Sequence, residues 1–196
     1  MTPKDMAKIA INLVVIYVIG GLILAFVYAK ASPIMFIKAK EEKEAALKTM
    51  MPEADKIEEI GKWSPHDKHA GYYSAKKGSE ELGYIVECFG KGYSSYINLL
   101  VSVDKNLQVK KINILHHAET PGLGDEIEKD YFQKRFEGKT IDTLVVVKGE
   151  TADKVEAITG ATISSRAVTE DGARKGVQML KEKLAGGGGE GEHGLH

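Results

Sequence analysis

The chain has 196 residues, 27 basic against 28 acidic, and a formal net charge of −1. That balance excludes the basic footprint of a nucleic-acid binder, and the length allows about one domain once a membrane segment and a tail are set aside. A single cysteine, Cys88, excludes an internal disulfide framework.

The first element in chain order is apolar. Residues Ile9 to Ala29 read IAINLVVIYVIGGLILAFVYA, 21 residues with Asn12 the one strongly polar member. At about 1.5 Å per residue this run spans a bilayer core of about 30 Å. It is too long for the apolar part of a secretory signal, and Lys30-Ala31-Ser32-Pro33 is a poor cleavage site, so the reading is a retained anchor. Lysines flank both ends (Lys4 and Lys8, then Lys30, Lys38 and Lys40), so charge alone leaves the orientation open.

Ser32-Pro33 has the form of a helix start, a capping serine followed by proline at the first helical position. A charged helical stalk then runs to the residue before Pro52. Alternating apolar positions predict strands at Ile57–Trp63, Ala70–Lys76, Leu82–Phe89, Tyr96–Val103 and Leu107–His116. Gly90-Lys91-Gly92 reads as a glycine turn, and Asp104-Lys105-Asn106 joins the last two strands, giving a meander. Cys88 alternates with apolar neighbours and reads as a core thiol. His116 and His117 point to opposite faces of a strand, and no metal site is assigned.

The connector Glu119-Thr120-Pro121-Gly122-Leu123-Gly124 combines a rigid residue with two permissive ones, which sets an unusual backbone path. A helix is predicted from Asp125 to Phe136 with Ile127, Tyr131 and Phe132 inward, followed by strands at Thr143–Val147 and Lys154–Ile158. A final helix is predicted from about Ser165 to Leu184, its buried face carried by Ala173, Val177, Leu180 and Leu184. Ser164 or Ser165 is the expected cap. The turn between the last strand and this helix holds Thr159, Gly160, Ala161, Thr162, Ile163, Ser164 and Ser165. A glycine turn opening a helix can hold an anion, and the four hydroxyls could donate to phosphate oxygens; a plain capped turn fits the same residues. After residue 185 the glycine-rich stretch cannot pack a core and reads as a disordered tail, 186–196.

Two of these stretches carry a resemblance. Thr159-Gly160-Ala161-Thr162, followed by Ile163-Ser164-Ser165, resembles the [S/T]-G-A-T signature of the FMN-binding domain in two related membrane complexes. They are the Rnf ferredoxin:NAD oxidoreductase, where the domain is the G subunit, and the sodium-pumping NADH:quinone oxidoreductase, where it is the C subunit. Glu119-Thr120-Pro121-Gly122-Leu123-Gly124 resembles the same family's E-T-P-G-L-G loop at the flavin. The short length is closer to the Rnf G subunit.

The resemblance implies FMN attached through its phosphate to Thr162, with both motifs at the cofactor. It also implies a flavin transferase that reads Glu156, Thr159, Gly160, Ala161 and Thr162, where the family pattern has aspartate in place of Glu156. Thr162 is then an acceptor, since a threonine hydroxyl is a weak nucleophile and needs an outside catalyst. The implied protein is an electron-relay subunit without a complete active site of its own. Its N-terminus is inside, its domain lies on the extracytoplasmic side of the cell membrane, and its partners are the other membrane subunits of an Rnf-type complex. The alternative is a membrane-anchored non-redox sensor or assembly module on the same fold. The expected fold class is α+β, an antiparallel-rich sheet with flanking helices behind one transmembrane helix. The expected domains are an anchor (1–30), a helical stalk (31–52), an FMN-binding domain (53–185) and the tail.

Overall fold

The computed structural model describes residues 3–186, so the expected tail lies outside the described residues beyond Gly186. The chain divides into two compact units, residues 1–44 and the remainder from Ala45.

The first unit is helical. Helix α1 (Pro3–Met50) contains a window of mean hydropathy 2.6 with none of it buried, so it is long and apolar enough to cross a membrane. The start expected at Ser32-Pro33 does not occur, because Pro33 sits inside α1. Proline there removes one backbone hydrogen bond, and helix formers on both sides carry the winding through.

The second unit is built on a five-stranded antiparallel sheet in the order β1-β2-β3-β4-β5. Its strands are β1 (Lys56–Trp63), β2 (Ala70–Lys77), β3 (Glu80–Lys91), β4 (Tyr96–Asp104) and β5 (Val109–His116). The expected meander is present with ends shifted by up to two residues. Strand β5 begins at Val109 rather than Leu107, because Leu107 has φ of 61° and Asp104 Oδ1 accepts from the N–H groups of Asn106 and Gln108 to close the turn. The glycine turn is tighter than expected: Gly90 and Lys91 belong to β3, and the turn is closed by the Gly92 N–H to Ser95 carbonyl bond.

Both sheet faces are covered, as the alternation in β4 requires. Leu99, Val101 and Val103 enter the main core with Val86, Cys88 and Ile112, while Leu100 joins Tyr73, Ala75 and Ile85 on the opposite face. That second face is covered by Leu47, Met50 and Met51, so the end of the expected stalk is core. Each such side chain contributes about 1.5–3 kcal/mol on burial. Burial, with the Glu87 charge adding to it, pushes the Cys88 thiol well up, in keeping with a core thiol.

The main core is closed by one helical body, α3 (Thr162–Arg166), a π-helical stretch (Ala167–Arg174) and α4 (Lys175–Ala185). Ala173, Val177 and Leu180 are buried against the sheet, whereas Leu184 is exposed, which corrects its placement on the inward face. The approach is close: a Cβ at Gly176 would collide with Cys88 Sγ, and one at Gly172 with Leu99.

The helix expected over Asp125 to Phe136 is broken into a 3-10 turn (Gly124–Glu128), helix α2 (Asp130–Gln133) and a second 3-10 turn (Lys134–Phe136). Lys129 is extended at the break. Ile127 and Phe132 are five apart and Phe132 and Phe136 four apart, so one regular helix could not turn all three inward. The break resets the phase and all three are fully buried. Tyr131 is turned outward instead, its hydroxyl donating to Glu126 and its ring lying beside Arg135.

The last two strands pair in parallel but are only β6 (Val146–Val147) and β7 (Val155–Glu156). A helical turn at Thr140–Thr143, in which the Thr143 and Leu144 N–H groups donate to the Thr140 carbonyl, takes the start of the first. The turn that opens α3 takes the end of the second.

Candidate functional site

Two connections meet beside the helical body. One is the loop from β5, residues 119–124; the other is the turn from β7 into α3, residues 158–162. Gly160, at φ of 82°, has the left-handed backbone that glycine tolerates, and an added Cβ would lie 3.0 Å from Leu123 Cδ2. The two predicted motifs therefore pack against each other.

The expected cap is absent in the form foreseen. The helix starts at Thr162, three residues early, with Ala161 at the cap position and no side-chain cap bond. Ser165 lies inside the helix, fully buried, where it accepts from the Ile158 N–H at 3.0 Å and donates to the Ala161 carbonyl at 2.9 Å. It staples the turn that presents Thr162. The first backbone bond back into the turn is Ser165 N–H to Ala161 carbonyl, which leaves the Thr162, Ile163 and Ser164 N–H groups without a partner among the described residues.

Glu119 is the hub of the site. Its carboxylate is buried and takes four donors: Ser164 Oγ at 2.5 Å, and the N–H groups of Tyr93, Ser94 and Ser95 at 3.0, 3.0 and 3.1 Å. Burial pushes this carboxyl upward, but donation from Ser164 and the three backbone groups outweighs it and holds the group below the usual carboxylate range. The β3–β4 turn, the 119–124 loop and α3 are thereby tied to one anion. Close packing matches the tie, since a Cβ at Gly92 would meet Glu119 Oε1 and one at Gly124 would meet Glu119 Cβ. His117 sets the backbone, its Nδ1 accepting from the Glu119 N–H while Nε2 lies 2.8 Å from Glu128.

These ties enclose a cleft of about 570 Å³. Glu119, Thr120, Leu123 and Gly124 line it from one motif, and Gly160, Ala161, Thr162, Ile163 and Ser164 from the other. Pro121, Gly122, Thr159 and Ser165 are not among the lining residues. At the end of the loop the Leu123, Gly124 and Asp125 N–H groups all turn onto the Thr120 carbonyl. What the loop offers the cleft is the Leu123 side chain, 46% exposed. Ile163 and Tyr93 add exposed apolar surface on the same rim.

Of the four hydroxyls expected to face a phosphate, those of Ser164 and Ser165 are committed to Glu119 and Ala161. Those of Thr159 and Thr162 have no hydrogen-bond partner among the described residues. Glu156 stands outside the cleft on β7, where its carbonyl accepts from Arg135 Nη1 at 2.6 Å and its carboxylate lies 3.5 Å from Arg135 Nη2. Tyr93 was not foreseen from the sequence. Its one signal is an aromatic residue set in a glycine-serine turn.

A family model described as FMN-binding domain matches residues 92–173, a span that starts at the β3–β4 turn and includes both motifs. The chain is 36% identical over 170 residues to the G subunit of the proton-translocating ferredoxin:NAD(+) oxidoreductase complex of Clostridium ljungdahlii, covering 86% of this chain and 88% of that one. It is 29% identical over 173 residues to the G subunit of the ion-translocating oxidoreductase complex of Methanosarcina acetivorans, covering 85% and 90%. Among solved structures, NqrC of Shewanella oneidensis shares the fold with a TM-score of 0.52 at 22% identity, over 64% of this chain and 72% of that one.

Proposed function

The chain belongs to the G-subunit family of Rnf-type ion-translocating oxidoreductase complexes, and we propose that it is their membrane-anchored electron-transfer subunit, with FMN joined through phosphate to Thr162. The observation that carries this reading is the Thr162 hydroxyl. It lies on the cleft wall at a helix start, and among the described residues neither it nor the three N–H groups beside it has a hydrogen-bond partner.

The residues fit the group. A cleft of this volume suits a cofactor of FMN size. Leu123, Ile163 and Tyr93 can cover the faces of a flat ring, while the helix start stabilises an anion. Glu119 lines the cleft and holds its three walls at fixed spacing, its two oxygens taking four donors. Thr162 Oγ1 would form the ester with the flavin phosphate of a flavin nucleotide activated as a pyrophosphate, whose P–O–P bond breaks to release the other nucleotide half while the hydroxyl proton passes to a base of the transferase; Glu156, Thr159, Gly160 and Ala161 are the surface a flavin transferase would read around it. When bound, the flavin supplies one- and two-electron transfer. Donor and acceptor then belong to other subunits. The domain stands on the extracytoplasmic side, where a covalent link keeps the cofactor from diffusing away.

The test is coexpression with a family flavin transferase, comparing wild type with Thr162→Val by intact mass and by flavin fluorescence after denaturation. One FMN on the wild type alone is the expected result. Flavin that survives denaturation in Thr162→Val would refute the assignment.

A further inference from the structure

Arg166 follows Thr162 by one helical turn. Residues four apart on a helix are neighbours, with Cβ atoms about 5–6 Å apart. Helical side chains lean toward the N-terminus, so the patch Arg166 covers lies over the turn that begins at Thr162.

The charge on Arg166, which is exposed, is not matched by an ion pair among the described residues. Two acids line the same cleft, and neither is ion-paired with Arg166 among the described residues. Glu170 accepts from the Val146 N–H at 2.9 Å. Asp171 takes the Lys91 N–H, His66 Nε2 and Lys175 Nζ at 2.8, 2.8 and 2.5 Å. Arg166 lines a second cleft of about 400 Å³, and Ile163 lines both this cleft and the one holding Thr162. Arg166, without an ion pair among the described residues, thus lines the cleft adjoining the one that Thr162 lines, with Ile163 shared between the two.

A planar cation at that position matches a phosphate oxygen carried on the preceding turn. We propose that Arg166 is the counter-cation of the phosphoryl group on Thr162, and that it fixes the arm between backbone and flavin. This rests on Thr162 being the attachment point. Arg166 is a positioning residue, since the helix start and the Leu123 face hold the remainder of the cofactor.

The test uses the full chain coexpressed with a family flavin transferase, as wild type, Arg166→Ala, Arg166→Lys and Lys91→Ala. Lys91 is a control because it lines the same cleft but projects from β3. The readouts are the ³¹P resonance of the linkage and the flavin fluorescence anisotropy of the native protein. Arg166→Ala is expected to shift the resonance and lower the anisotropy, Arg166→Lys to return most of both, and Lys91→Ala to change neither. Wild-type values in Arg166→Ala, or an equal change in Lys91→Ala, overturn the proposal and leave the Thr162 reading standing. Failure of Arg166→Ala to take up flavin supports the proposal if Arg166→Lys restores uptake, and contradicts it if both fail. A wild type that carries no flavin sinks the Thr162 reading and this proposal together.

Discussion

Removing the Glu119 carboxylate should loosen the three walls of the cleft at once. Hydrogen bonds to a charged acceptor are worth about 1.5–3 kcal/mol each, which sets a ceiling for four of them. The measured loss will be well below that ceiling, because Tyr93 and Ser94 are exposed and their N–H groups can turn to water, whereas buried Ser164 cannot. Glu119→Ala leaves the buried Ser164 hydroxyl and the half-buried Ser95 N–H without an acceptor and should therefore cost about 3–4 kcal/mol. Glu119→Gln keeps one accepting oxygen and should cost about 2 kcal/mol.

The acid limb gives an independent check on the same group. The folded-state carboxyl is held below its unfolded value, so its contribution is fully present above pH of about 4.3 and is lost as pH falls through the depressed folded value. Glu119→Gln should flatten that part of the stability profile. Urea unfolding of the detergent-solubilised full chain, followed by the fluorescence of Trp63, the chain's one tryptophan, measures both effects. Stability within 0.5 kcal/mol of wild type at neutral pH (about the scatter of surface substitutions), with an unchanged acid slope, would refute the account of Glu119 as the tie.

Two further changes probe how the site is carried. Gly176→Ala pushes a methyl into Cys88 and should cost about 1–3 kcal/mol. Cys88→Ala in the same chain should recover part of that loss, and strict additivity in a double-mutant cycle would contradict the contact. Ser165→Ala leaves the Ile158 N–H unpaired in a buried turn and removes one of the two donors to the Ala161 carbonyl, at a cost of about 1–3 kcal/mol by urea titration. Because Ser165 is fully buried and does not line the cleft, a full loss of flavin with unchanged stability would contradict its assignment as a staple.

The meander was legible because β4 and its neighbours alternate cleanly, and the two motifs were legible because their residue strings are unusual. Helix boundaries were harder. Ser32-Pro33 looks like a start, yet the residues on either side favour helix strongly enough to absorb one lost hydrogen bond. The 125–136 segment hid its break because Ile127, Phe132 and Phe136 show their inward phase only once Lys129 is extended. At the site, sequence placed Glu119, Thr162, Ser164 and Ser165 together but could not assign their partners. Whether a hydroxyl faces a ligand or a neighbouring oxygen depends on tertiary contacts. Ser164 meets Glu119 across 45 positions of sequence, and Tyr93 reaches the cleft only because Glu119 gathers its turn.

The proposed flavin attachment turns on one oxygen atom, and trypsin isolates the peptide that carries it. Cleavage after Lys154 and Arg166 releases Val155–Arg166, which contains Thr159, Thr162, Ser164 and Ser165. Protein coexpressed with a family flavin transferase should give this peptide with one FMN, and fragmentation should place it on Thr162, because Ser164 and Ser165 are engaged inside the fold and Thr159 does not line the cleft. FMN localised to Thr159 or to either serine, or an unmodified peptide beside an active transferase, would contradict the account.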